Sequence, residues 1–93
     1  MKADYIRIYA DVTNVDLYPN SSIAEKKYIK DNLIKVAVKF FERRIKVNRR
    51  EYPILVTSDV CDNYIASPVI PNDHVKNGVQ NSDFVIYVNL VNN

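Results

Sequence analysis

Between Ser22 and Val47 the chain runs without a glycine or a proline, and nothing else in it restricts the fold as strongly. Ile29, Leu33, Val36 and Phe40 step by four, three and four; Ile34, Ala37, Phe41 and Ile45 step by three, four and four. Two adjacent rows with that period form one broad apolar stripe, the pattern of a helix lying on a sheet. Ser22-Ile23-Ala24-Glu25 is a capping box, in which the Ser22 side chain and the Glu25 side chain each satisfy the other's backbone donor. The spacing predicts a helix over 22–47, of which ~24 helical residues would span ~36 Å.

Strand patterns lie on either side. Residues 5–12, "YIRIYADV", alternate: Ile6, Ile8, Ala10 and Val12 share one face, and Tyr5, Arg7, Tyr9 and Asp11 share the other. Pro53 closes the loop after the helix, and residues 54–60 read as a second strand. Residues 61–83 show no sustained period and are read as an irregular segment, with Pro68, Pro71 and Asn77-Gly78 marking turns. Residues 84–91 form a third strand, apolar on both faces apart from Asn89, as in a strand covered on both sides. The order strand, helix, strand, loop, strand predicts an α/β class with a small, mostly parallel sheet and one long covering helix. The first three elements would form a right-handed crossover. One helix covers one sheet face only. The other face would leave Val85, Tyr87 and Val91 open, so residues 1–93 read as a single partial domain whose last strand is covered by further chain or by a partner. Self-association through 84–91 is the expected alternative.

Gly78 is the one glycine among 93 residues, whereas asparagine occurs eleven times. Turns needing a positive φ must therefore fall largely on asparagine and aspartate. Cys61 is also single, so it is a buried thiol, a reactive thiol, or half of a bridge whose partner lies elsewhere. Asn20-Ser21-Ser22 matches an N-glycosylation acceptor. Met1-Lys2-Ala3-Asp4 leads directly into the first strand pattern with neither an apolar signal core nor a cleavage site, so a chain expressed as written is expected in the cytoplasm.

The chemical inventory is short. His74 is the one histidine, so two histidines cannot meet on a metal within one copy. No Gly-rich phosphate loop, G-x-S-x-G or cysteine cluster occurs. Asp59 and Asp62, near Cys61, read as turn residues. Residues 26–50 carry ten basic and two acidic side chains, +8, against −6 for the rest of the chain. That segment could meet phosphates or anionic lipid. No aromatic side chains interleave with the charges to stack bases, so the plain reading is a solvated outer face.

"RIYADVTN" (7–14), "KVAVKFFERRIKV" (35–47), Cys61 and "PNDHVKNGVQNSDFVIYVNLV" (71–91) together resemble the leishmanolysin-type zinc metallopeptidases. The resemblance is most specific where Pro71, His74, Gly78, Val79, Asn81, Asp83, Phe84, Val85, Tyr87 and Val88 fall at the family's spacing. It implies part of a metzincin-like N-terminal subdomain, with zinc held elsewhere by H-E-x-x-H and a later histidine, and peptide as substrate. No H-E-x-x-H occurs here, so the resemblance implies no catalytic or zinc-binding residue in this chain and no cofactor within it. His74 matches a loop position. The resemblance further implies that Cys61 is half of a disulfide with an outside partner, and that Asn20 carries glycan on a secreted or membrane-associated protein. It also implies that the rest of a protease covers 84–91. The competing expectation is a non-catalytic binding module that offers its basic helix or open sheet face to an acidic protein, a nucleic acid or an anionic membrane.

Overall fold

A computed structural model describes residues 3–57 and 69–90. The described chain forms β1 (Asp4–Tyr5), β2 (Ile8–Asp11), α1 (Thr13–Leu17), α2 (Ile23–Tyr28), a π-helical segment (Ile29–Ile34), α3 (Lys35–Glu42), β3 (Lys46–Val47), α4 (Asn72–Lys76) and β4 (Phe84–Tyr87). The class is α/β, with two small sheets and a long helix.

The long helix starts where the capping box predicts. Ser22 Oγ accepts from the Glu25 amide at 3.1 Å, and Glu25 Oε1 accepts from the Ser22 amide at 3.0 Å. The backbone donor of Ser22 thereby holds the Glu25 carboxyl below its ordinary range, with the Ser22 hydroxyl adding to the effect. After the π-helical segment Ile29–Ile34, whose hydrogen bonds skip five residues, Ile34, Ala37, Val38 and Phe41 turn toward the sheet. The second row of the stripe, Leu33, Val36 and Phe40, lies to the side and remains at least half exposed.

The helix ends at Glu42, five residues before the position expected from its pattern. Arg44 and Ile45 both return their amides to the Phe41 carbonyl, and Ile6 then donates to Ile45 at 2.8 Å. Lys46 and Val47 pair antiparallel with Tyr5 and Asp4. The absence of helix breakers permitted a longer helix, but pairing with the first strand turned its last residues into β3.

The predicted first strand is divided. Its first part pairs with β3, and Ile8–Asp11 pairs in parallel with β4 in the register Ile8–Phe84, Tyr9–Val85, Ala10–Ile86 and Asp11–Tyr87. The expected mostly parallel sheet is thus two two-stranded sheets, one antiparallel and one parallel, and the parallel partner of β2 is the last strand. Residues 54–60 were expected to supply that partner. Ile54 instead bridges Val79 antiparallel, with bonds of 3.0 and 2.8 Å in the two directions, and residues 58–60 lie outside the described residues. The segment read as irregular contains α4. The last strand is regular over Phe84–Tyr87, and Val91 lies outside the described residues.

Alternation puts Ile8, Ala10 and Ile86 on the helix side of the parallel pair, as the period predicts. The closure is loose: a cleft of about 180 Å³, lined entirely by apolar side chains, remains between helix and sheet. Val15 and Val79 are the buried hydrophobic residues among those described.

A minority of the basic segment's charges is matched within the chain. Lys30 pairs with Asp16 at 2.7 Å, Lys26 donates to the Asp16 carbonyl, and Arg49 reaches Asp4 at 3.5 Å. Arg44 lies over the Phe40 ring at 3.8 Å. These contacts account for part of the uneven charge as pairing between the helix region and the acids around it.

Candidate functional site

The segment 71–87 converges on the sheet face opposite the long helix. Pro71 has φ −57° and ψ 135°, immediately before α4, and its carbonyl accepts from the His74 amide at 3.0 Å. That single turn directs the His74 ring inward, where the residue is 8% exposed. His74 Nδ1 and the Tyr87 hydroxyl share a 2.9 Å hydrogen bond, and the edge-on contact with Tyr9 places the ring centroids 5.4 Å apart. Tyr9 and Tyr87 come from the two parallel strands, so α4 is fastened across their junction.

Gly78 follows at φ +82°, and its amide donates to the Asp73 carbonyl at 3.1 Å. A Cβ there would lie 2.7 Å from Pro53 Cβ and 3.0 Å from the Ile54 carbonyl oxygen. Glycine is needed twice at this position, for the left-handed backbone and for the close approach of the 53–55 segment. That approach allows Val79 and Ile54 to exchange both backbone hydrogen bonds. Asn81 takes the other positive φ, 53°, in agreement with the expected use of asparagine in such turns.

Asp83 is the polar centre. Its side chain is 4% exposed. It accepts from the Arg7 amide at 2.9 Å, from Arg7 Nε and Nη2 at 3.1 Å each, and from the Arg50 amide at 2.7 Å. The Arg7 carbonyl in turn accepts the Asp83 and Phe84 amides. The Arg7 side-chain bonds hold the Asp83 carboxyl far below the usual carboxylate range, against its desolvation, with the Arg50 and Arg7 amides contributing. The same hydrogen bond raises Arg7. Arg7 Nη2 also donates to the Arg50 carbonyl at 2.8 Å. The start of β4, the β1–β2 junction and the chain after β3 are therefore tied at one carboxylate.

Pro71, His74, Gly78, Asn81, Asp83 and Tyr87 thus belong to one structural unit. Phe84 begins β4 but is half exposed. Asn20 lies in an exposed turn well separated in sequence from this unit. Cys61, Asp59 and Asp62 lie outside the described residues. Sequence reasoning assigned no role to Arg7, Tyr9, Arg50 or Asn14. Asn14 binds both backbone groups of Val69, at 3.0 and 2.7 Å. These partners lie 33 to 76 residues apart, and no local pattern announces such pairs.

Among the described residues no three His, Cys, Asp or Glu side chains converge. The arrangement around His74 suits positioning of backbone. We expect His74→Ala to lower stability by about 2–3 kcal/mol, from the lost buried ring and the lost hydrogen bond, in urea denaturation. Zinc uptake by the chain should not change, which separates a packing role from a metal-binding one.

In comparisons with known proteins, residues 22–93 match the family Peptidase_M8, leishmanolysin. No curated protein and no solved structure matches the chain. The matched stretch contains the long helix and the whole of the 71–87 unit, and omits β1, β2 and α1.

Proposed function

Because the chain belongs to the leishmanolysin family of peptidases, we propose that it is a structural, non-catalytic part of a zinc metalloendopeptidase, inactive alone and completed by the rest of the protease. The observation that carries this reading is the exposure of large apolar side chains on a well-paired polar frame. Phe84 and Phe40 are 53% and 50% exposed, and Val36 is 60% exposed, although they lie on the strand and helix that organise the fold. Beside β4 a groove of about 530 Å³ opens between Leu55, Val56, Val85 and Tyr87. Large apolar side chains left open on the elements that organise a fold mark surfaces that another part of a protein characteristically covers.

The donor set of this chain does not fit the zinc ion of the family. A peptidase zinc site takes three protein ligands, commonly more than one of them histidine. Here the one histidine is buried, with Nδ1 bonded to Tyr87. In the completed protein, zinc and peptide substrate would be held by residues beyond this chain, and the further chain would cover 84–91 and the open flank of the helix. Such a protease would act outside the cell or at its membrane.

Purified 93-residue chain, titrated with zinc and assayed on unfolded protein substrates, tests the proposal. It should take up no stoichiometric zinc and cleave nothing. Stoichiometric zinc with chelator-sensitive cleavage would overturn it.

A further inference from the structure

We propose that the further chain lies along the outer flank of the long helix as an acidic amphipathic segment, its apolar side chains on Leu33, Val36 and Phe40 and its carboxylates on Lys35, Lys39 and Arg43. This rests on the reading of residues 1–93 as part of a larger protease. Leu33, Val36 and Phe40 are 52%, 60% and 50% exposed. Lys35 and Lys39 on α3 and Arg43 at its C-cap recur at four-residue spacing, so they form one row, and all are exposed. Val36 stands three residues before Lys39 and Phe40 three before Arg43, so each apolar side chain borders a cation. Among the described residues the side chains of this basic row make no hydrogen bond or ion pair. Neighbouring cations are matched: Lys30 by Asp16, Arg49 by Asp4, and Arg44 by the Phe40 ring. Nor do the helix's own acids serve the row. Glu25 is held in the cap, Glu42 accepts from the Ile8 amide at 2.9 Å, and Asp31 forms no ion pair with Lys35.

Like charges at four-residue spacing repel along a helix, so the row weakens the helix that carries it until carboxylates are brought to it. Whatever brings them must cover apolar surface as well. The apolar row runs into the helix–sheet cleft through Phe41, which lines that cleft, is 48% exposed and meets the Phe40 ring edge-on at 5.3 Å between centroids. A phosphate backbone would meet the cations and leave the apolar row and the cleft open. A polypeptide offers both kinds of group on one element: apolar side chains for the row and the mouth of the cleft, and carboxylates beside them for the three cations. Complementary charge of this kind fixes the register of the covering segment and excludes wrong partners, while the apolar row supplies the burial.

The test compares the 93-residue chain with the protein produced from its complete natural gene. Both are acetylated under native conditions and the modified lysines are read by mass spectrometry. Lys35 and Lys39 should react in the 93-residue chain and lose that reactivity in the complete protein. Lys39→Glu should then shift the melting temperature in opposite directions. It should rise in the 93-residue chain, where a carboxylate relieves the repulsion between Lys35 and Arg43, and fall in the complete protein, where it faces the acidic segment. Equal reactivity of both lysines in the two proteins would overturn the proposal, as would melting shifts of the same sign. Loss of reactivity in the complete protein only on adding vesicles of equal parts phosphatidylcholine and phosphatidylserine would overturn it too, in favour of a lipid surface. A longer gene product with reactive lysines would sink this proposal and leave the protease reading standing, whereas a gene product ending at Asn93 would sink the protease reading and this proposal with it.

Discussion

Gly78→Ala should lower the stability of the chain by about 2–4 kcal/mol, combining strain at a positive φ with overpacking against a neighbouring segment. The backbone there sits at φ +82°, and the new methyl would meet Pro53 Cβ at 2.7 Å and the Ile54 carbonyl oxygen at 3.0 Å. Neither atom belongs to a long side chain that can swing aside. Relief requires moving residues 53–55 away, which breaks the paired bonds between Ile54 and Val79. Val79, one of the two buried hydrophobic residues among those described, would be exposed in the process. The urea midpoint is the measurement. Asn81→Gly provides the contrast, since asparagine already tolerates its φ of 53°, and should change stability by less than about 1 kcal/mol. Equal losses at the two positions would mean that the close approach at Gly78 is not what demands glycine.

Asp83→Asn should cost about 2–3 kcal/mol at neutral pH. Asparagine keeps the shape but loses the charge, and one of its side-chain groups becomes a donor facing the Arg7 and Arg50 donors. The pH dependence follows from the direction of the Asp83 shift. Its folded-state pKa lies below the unfolded value of about 3.9. On acidification the unfolded chain therefore takes up the proton first. The Asp83 contribution is complete above about pH 4, shrinks as the pH falls below it, and disappears only as the pH passes the folded-state value. Glu25, shifted in the same direction, adds to the acid limb. Wild-type stability should therefore fall more steeply than that of Asp83→Asn below about pH 4. Parallel acid limbs would show that Asp83 is not held in its charged form by the fold.

The legible parts of this fold are those determined by local chemistry. The capping box fixed the start of the helix because Ser22 and Glu25 need only each other. The alternation of Ile8 and Ala10 identified the buried face of β2, since a strand's period is independent of its partner. The lone glycine and abundant asparagine anticipated a turn such as that at Asn81. The illegible parts depend on distant partners. Nothing near Arg7 signals that its carbonyl and guanidinium wait for Asp83, so the break between β1 and β2 is invisible in "YIRIYADV". The end of the helix at Glu42 is set by the pairing of Lys46–Val47 with Asp4–Tyr5, which overrides a stretch free of helix breakers. Residues 54–57 do not pair with β2 for a similar reason: they are strand-like in composition, but the close passage beside Gly78 draws Ile54 to Val79. In the candidate site, the motif residues 71–87 were visible as a group, whereas Tyr9, Arg7 and Arg50, which hold them in place, were not.

The proposed function requires the exposed faces of β4 and the long helix to be covered by further protease chain. The most direct test is the size of the natural protein, measured by immunoblotting source cells with an antibody raised against residues 71–91. The account predicts a band several times larger than 10.8 kDa. A single band near 10.8 kDa would contradict it and leave the open faces to a separate partner.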